Sequence, residues 1–189
     1  MKAGFAIRLF ETSVRTSSPR DLSWEKSFST MVASFRMAGT VGIMAPFTSP
    51  EEFRRIFDDL FLLLSRDREI GPKLRGRKIP QRYLFTDYGL LLNVKGSETA
   101  RARRGDHLVW AWGTPKGPWA PKVTLEMTSE VANRYFQGRE NVPLAIATDR
   151  IRIAEGDLRD VLDLLPIVLP FHPSWVRHLK SSGLFHLLV

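Results

Sequence analysis

Between Pro121 and Val168 the spacing of apolar residues switches from every second position to every third or fourth, and does so twice. Lys122 to Met127 alternates strictly: Val123, Leu125 and Met127 face one way, Lys122, Thr124 and Glu126 the other. That alternation specifies a half-buried strand. Ser129 stands where a hydroxyl can accept from the first unpaired helical N–H groups, and Gly138 where a helix stops. A short linking helix leads to a second alternator, Arg150 to Ala154, with Ile151 and Ile153 inward. Gly156-Asp157 turns the chain, and Asp157 caps a last helix in which Leu158, Val161, Leu162 and Leu165 fall at i, i+3, i+4 and i+7. Pro166 kinks that helix or ends it. The order is strand, helix, short helix, strand, helix.

Upstream, Ser49-Pro50-Glu51-Glu52 opens a helix over 50–66 that carries Phe53, Ile56, Phe57, Leu60, Phe61 and Leu64 on one stripe. Gly71-Pro72 is expected to stop it. Three alternators follow. Ile79 to Thr86 turns Ile79, Tyr83 and Phe85 to one side, Gly89 to Lys95 turns Leu90, Leu92 and Val94, and His107 to Trp112 turns Leu108, Trp110 and Trp112. Asp87-Tyr88 joins the first two as a hairpin, and the polar loop Gly96–Asp106 joins the next pair. With the two downstream strands this makes an α+β fold. Its five-stranded sheet is mixed or antiparallel, and helices 50–66, 129–137 and 157–166 cover one face. Residues 3–10 read as a short edge strand. Ser18-Pro19-Arg20-Asp21 starts a helix to about Ala38 with Leu22, Phe28, Met31, Val32 and Phe35, which Gly39-Thr40-Val41-Gly42 breaks. The expected division is an extension over 1–48 that packs on the core or on a second subunit, a core domain over 49–170, and a tail over 171–189 with a short helix.

The run Ile151-x-Ile153-x-x-Gly156-Asp157-Leu158, after the alternating strand and the two helices, resembles the end of a sterol-carrier-protein domain, a family of nonspecific lipid carriers. The resemblance extends more weakly back to about Ser49, and residues 1–48 lie outside it. It implies the same α+β architecture with an apolar tunnel between sheet and helices that holds lipid-like cargo. It equally implies an accessory role, because such domains occur attached to enzymes and in quinone-pathway accessory proteins. One departure stands out: the family usually places a glycine before the last strand, where this chain has Thr148-Asp149.

Composition narrows the function classes. The 189 residues hold no cysteine, which removes disulfides and thiolate chemistry. No apolar run approaches the roughly 20 residues that span a bilayer. MKAGFAIRLF, interrupted by Arg8, is too short for a signal peptide, and the closing HLLV is not a Ser-Lys-Leu address, so a cytoplasmic location is the expectation. No nucleophile elbow, P-loop or His-Glu-x-x-His is present, and His107, His172, His178 and His186 lack metal-ligand spacing. Gly113 to Pro118 is glycine-rich beside Lys116, but its prolines remove the N–H donors a phosphate cradle needs. The chain is expected not to be an enzyme and to carry neither cofactor nor metal.

A net charge of +8 attracts polyanions: nucleic acid, anionic lipid or an acidic protein. It is equally what a solvated basic surface looks like. The basic runs are Lys73, Arg75, Arg77 and Lys78, then Arg101, Arg103 and Arg104, both expected in loops. The tryptophans do not interleave with them, which argues against a nucleic-acid reader. A transient contact with an anionic membrane and a homodimer are the expected partners, besides a hydrophobic small molecule or lipid. The ligand-binding candidates are the apolar residues expected to converge between sheet and helices: Phe57, Phe61, Leu64, Leu92, Trp110, Trp112, Leu125, Phe136, Ile153, Leu162 and Leu165. Pattern alone does not distinguish a cavity there from a filled core. The expected function is noncatalytic binding or transfer of a hydrophobic ligand, with a cavity-less accessory module supporting a partner enzyme as the alternative.

Overall fold

The computed structural model describes residues 46–115, 117 and 119–189. The chain divides between Gly39 and Thr40, and the described residues all lie in the second unit. The strand expected at 3–10, the helix expected up to Ala38 and the docking of the extension therefore lie outside the described residues.

Helix α1 runs Pro50–Arg66 behind Ser49, whose hydroxyl accepts from the Glu52 N–H at 3.1 Å. Glu52 in turn reaches back to accept from the Thr48 N–H at 2.6 Å, so two otherwise unpartnered donors are satisfied reciprocally. All six stripe residues from Phe53 to Leu64 are buried. The helix ends at Asp67, and Gly71-Pro72 does not stop it. Those two residues sit inside a second helix, α2, Ile70–Arg77. Pro72 is tolerated there because first-turn N–H groups have no intrahelical acceptor in any case. Asp67 Oδ1 accepts from the N–H groups of Glu69 and Ile70 at 2.9 and 2.8 Å and so anchors the start of α2.

The strands are β1 (Gln81–Phe85), β2 (Leu90–Gly96), β3 (Leu108–Trp112), β4 (Val123–Met127) and β5 (Ile151–Glu155), with the short helix α3 (Thr99–Ala102) between β2 and β3. Their order across the sheet is β3-β2-β1-β4-β5. All pairs are antiparallel except β1 with β4, which is parallel, so the sheet is mixed. The register sets one face: Trp112, Leu92, Tyr83, Leu125 and Ile153 form a row across all five strands. The connection from β3 to β4 skips two strands and crosses the other face, where Lys95 Nζ lies 4.5 Å from the Trp119 ring centre. That face is more polar but not open. Asn93, 1% exposed, accepts from Arg82 Nε at 3.0 Å and donates to the Gly113 carbonyl at 2.9 Å.

Helices α4 (Ser129–Phe136), α5 (Val142–Ala147), α6 (Leu158–Val168) and α7 (His172–Ser181) complete the chain. The cap of α4 is Thr128, accepting from Val131 N–H at 3.3 Å, rather than Ser129. Ser129 instead donates its N–H to Asp87 Oδ1 at 2.9 Å, so the β1–β2 turn places a carboxylate at the positive end of the helix. Gly138 follows α4 with φ +71°, as a stop requires. Asp157 caps α6, accepting from Arg159 N–H at 2.8 Å. Pro166 does not end α6, which continues to Val168 and into a 3₁₀ turn, Leu169–Phe171.

The tail belongs to the same core: Trp175, Leu179 and Leu187 are fully buried in it. Buried Asn133 of α4 and the C-cap residue Gln137 both donate to the Leu187 carbonyl at 2.8 Å. The first basic run is helical rather than looped, lying on α2 and its C-cap Lys78, and Arg101 lies on α3.

Candidate functional site

The layer beneath α1 and α4 is aromatic. Phe53 stacks on Phe57 with centroids 4.2 Å apart, Phe57 meets Phe136 edge-on at 5.6 Å, and Phe61 meets Phe136 at 5.8 Å. From the sheet, Phe85 meets Phe53 at 4.6 Å and Tyr83 lies 6.2 Å from Phe61. Edge and offset contacts of this kind add to the stabilisation from area burial. Burial drives the Tyr83 phenol well above its ordinary pKa and pushes neighbouring Tyr135 up to about 12, so both stay neutral donors.

Of the eleven candidates, Phe57, Phe61, Leu64, Leu92, Leu125 and Phe136 are buried in this layer. Trp110, Trp112, Ile153 and Leu165 are partly buried and packed against it. Leu162 does not join them: it is 39% exposed. The buried face of α6 is Val161, Leu164, Ile167 and Val168, so the stripe expected to point inward is rotated, and its Leu158 and Leu162 face out.

Sequence reasoning missed Asp58. Trp110 and Trp112, two apart on the edge strand β3, share the covered face, and their indole N–H groups both donate to Asp58 Oδ1 at 2.7 and 2.9 Å. Arg54, one turn earlier on α1, lies over the Trp112 ring at 5.7 Å. Asp58 falls on the polar flank of an amphipathic stripe, where a carboxylate reads as solvated. Its partners lie 52 and 54 residues away, beyond any local pattern.

Beside Trp110 the edge of the sheet opens into a groove of about 300 Å³, with Leu62 and Leu108 in its lining and Arg66, Arg101 and Asp106 around it. Among the described residues no group of three or more His, Asp or Glu is placed to hold a metal ion. None of their helices is long and apolar enough to cross a membrane.

The geometry defines an α+β domain whose aromatic layer is sealed by helices on one sheet face and bounded at the β3 edge by a tethered tryptophan pair. Neither a family model nor a curated protein matches the chain. Among solved structures it is similar to the UbiJ-SCP2 ubiquinone synthesis protein, at 15% identity and a TM-score of 0.46 over 65% of this chain and 92% of that one. It is also similar to sterol carrier protein 2 from Yarrowia lipolytica in its apo form, at 12% identity and a TM-score of 0.43 over 69% and 95%. The third is the sec-alkylsulfatase Pisa1 from Pseudomonas sp., at 17% identity and a TM-score of 0.46, where 76% of this chain spans only 21% of the sulfatase.

Proposed function

We propose that this chain binds an apolar, lipid-like ligand without catalysing a reaction on it, in the aromatic layer behind the β3 edge. The observation that carries the reading is the continuity of that layer with the surface. Trp110 and Trp112 are only partly buried, Phe61 lies 6.2 Å behind Trp110, and the groove beside Trp110 is open to solvent. A side-chain shift of the tryptophan pair would admit an alkyl chain to the phenylalanine and leucine side chains behind it. Burying such a chain gains about 25 cal/mol per Å², which suffices for roughly micromolar affinity after association costs. The ligand class is an acyl chain, a sterol-like ring system or an isoprenoid.

A second reading has its own observation. The rings from Phe53 to Phe136 touch one another directly, which is the geometry of a filled core. In that case the fold is an accessory module and its outer surfaces carry the function. Native mass spectrometry before and after solvent extraction, followed by titration of the delipidated protein with acyl, sterol and isoprenoid probes, separates the two. Copurifying lipid, or a probe that shifts tryptophan emission and raises the melting temperature, supports the carrier. No copurifying lipid and no response to any probe leaves the filled core.

A further inference from the structure

The fold brings the two basic runs, more than twenty residues apart in sequence, to one end of the domain. Arg75 Nε donates to the Ser97 carbonyl at 2.9 Å and its Nη2 to Thr99 Oγ1 at 3.1 Å, which ties α2 to the β2–β3 connection. Arg66 Nε meets Asp106 Oδ1 at 3.1 Å and closes the same junction from α1. Across residues 66–78 and 98–106 nine Lys and Arg stand against four Asp and Glu, an excess that is most of the chain's +8. Three of the nine are compensated, in the pairs Arg66–Asp106, Lys73–Glu69 and Arg77–Asp163. Arg68, Lys78, Arg101, Arg103 and Arg104 are exposed, and none of the ion pairs among the described residues includes them. The groove beside Trp110 opens here, with Arg66 and Arg101 next to an apolar floor of Leu62, Leu108 and Trp110.

We infer that this end docks on an anionic phospholipid bilayer, the arginines meeting headgroup phosphates and the groove accepting the apolar part of one lipid. Charge complementarity selects a polyanion. The apolar floor suits a lipid. The two segments contain no aromatic residue to interleave with their basic side chains, and the ring in the groove, Trp110, is held by its indole N–H on Asp58 at 2.7 Å rather than presented for stacking on a nucleic-acid base. The inference stands independently of whether the interior is filled.

Cosedimentation of the full chain with vesicles of phosphatidylcholine alone, and of phosphatidylcholine mixed with phosphatidylglycerol, tests it. Binding is expected only to the mixed vesicles in about 0.1 M salt, and should vanish near 1 M as the screening length falls from about 10 to 3 Å. The variant R101Q/R103Q/R104Q should bind those vesicles on the order of a hundredfold more weakly. The equally charged variant R139Q/R159Q/R177Q, altered on exposed side chains of other elements, should bind within a few-fold of the parent. Circular dichroism of both variants confirms the fold. Equal binding to neutral vesicles overturns the inference, as does an equal loss in both variants, which would make net charge the cause. Tighter binding to an RNA duplex than to the mixed vesicles overturns it in favour of nucleic acid.

Discussion

Asp58 Oδ1 receives two indole N–H groups, so its removal strands both donors at the edge of the aromatic layer. Asp58→Ala should cost about 1–3 kcal/mol in denaturation and alter tryptophan emission, whereas Asp58→Asn keeps an acceptor and should lose less. Equal midpoints for parent and alanine variant would show the tether to be idle. Gly156 is constrained differently. Its φ is +95°, and a Cβ there would sit 2.3 Å from the Lys122 carbonyl oxygen, which is backbone and cannot move aside. Gly156→Ala should therefore destabilise more than Asp157→Ala, which removes only a helix cap and should cost about 0.5–2 kcal/mol. The reverse ranking in urea melts would mean the turn relaxes freely. The glycine and its aspartate were legible as a pair because a turn and a cap are local events. Asp58 was not, because what defines it is a contact across the fold.

At the level of elements, strands and helix starts were legible wherever periodicity or a cap dictates them, and the errors share one cause. A helix read alone has an apolar stripe but no fixed azimuth. In α6, Leu158, Val161, Leu162 and Leu165 fall within an arc of about 100° around the axis at roughly 100° per residue. They read as the inward face, yet Leu158 and Leu162 are 44% and 39% exposed. The helix is apolar on more than one side, and packing against α2 selects the Val161, Leu164 and Ile167 side. Leu164→Ala should then cost about 2–5 kcal/mol, while Leu162→Gln should stay within about 0.5 kcal/mol of the parent. Midpoints in the opposite order would restore the stripe read from the sequence. The candidate site shows the same limit, because ten of its eleven residues do reach the core but nothing local reveals whether space is left between them.

For the molecule as a whole, two groups make stability depend on pH in separate windows. Burial holds His172, at the start of α7, below its ordinary value of 6.5, so the unfolded chain takes the proton first. Stability should fall as pH drops below 6.5 and level off below the folded value, and His172→Gln should flatten that step. Glu52 is shifted down chiefly by the Thr48 hydroxyl, against an opposing desolvation. Its contribution is present above 4.5 and is lost as pH falls through the lower folded value. Urea midpoints across this range check both, and a curve without a step near 6.5 would place His172 in solvent. A last consequence lies in the one parallel pairing. β3-β2-β1 and β4-β5 are each antiparallel sets of neighbours in sequence, and only β1 against β4 joins them within the sheet. The connection between them passes through exposed Gly117, at φ +93°. A chain severed at Gly117 keeps every strand whole, so the two halves, produced as separate polypeptides, should find each other and restore the sheet along that seam.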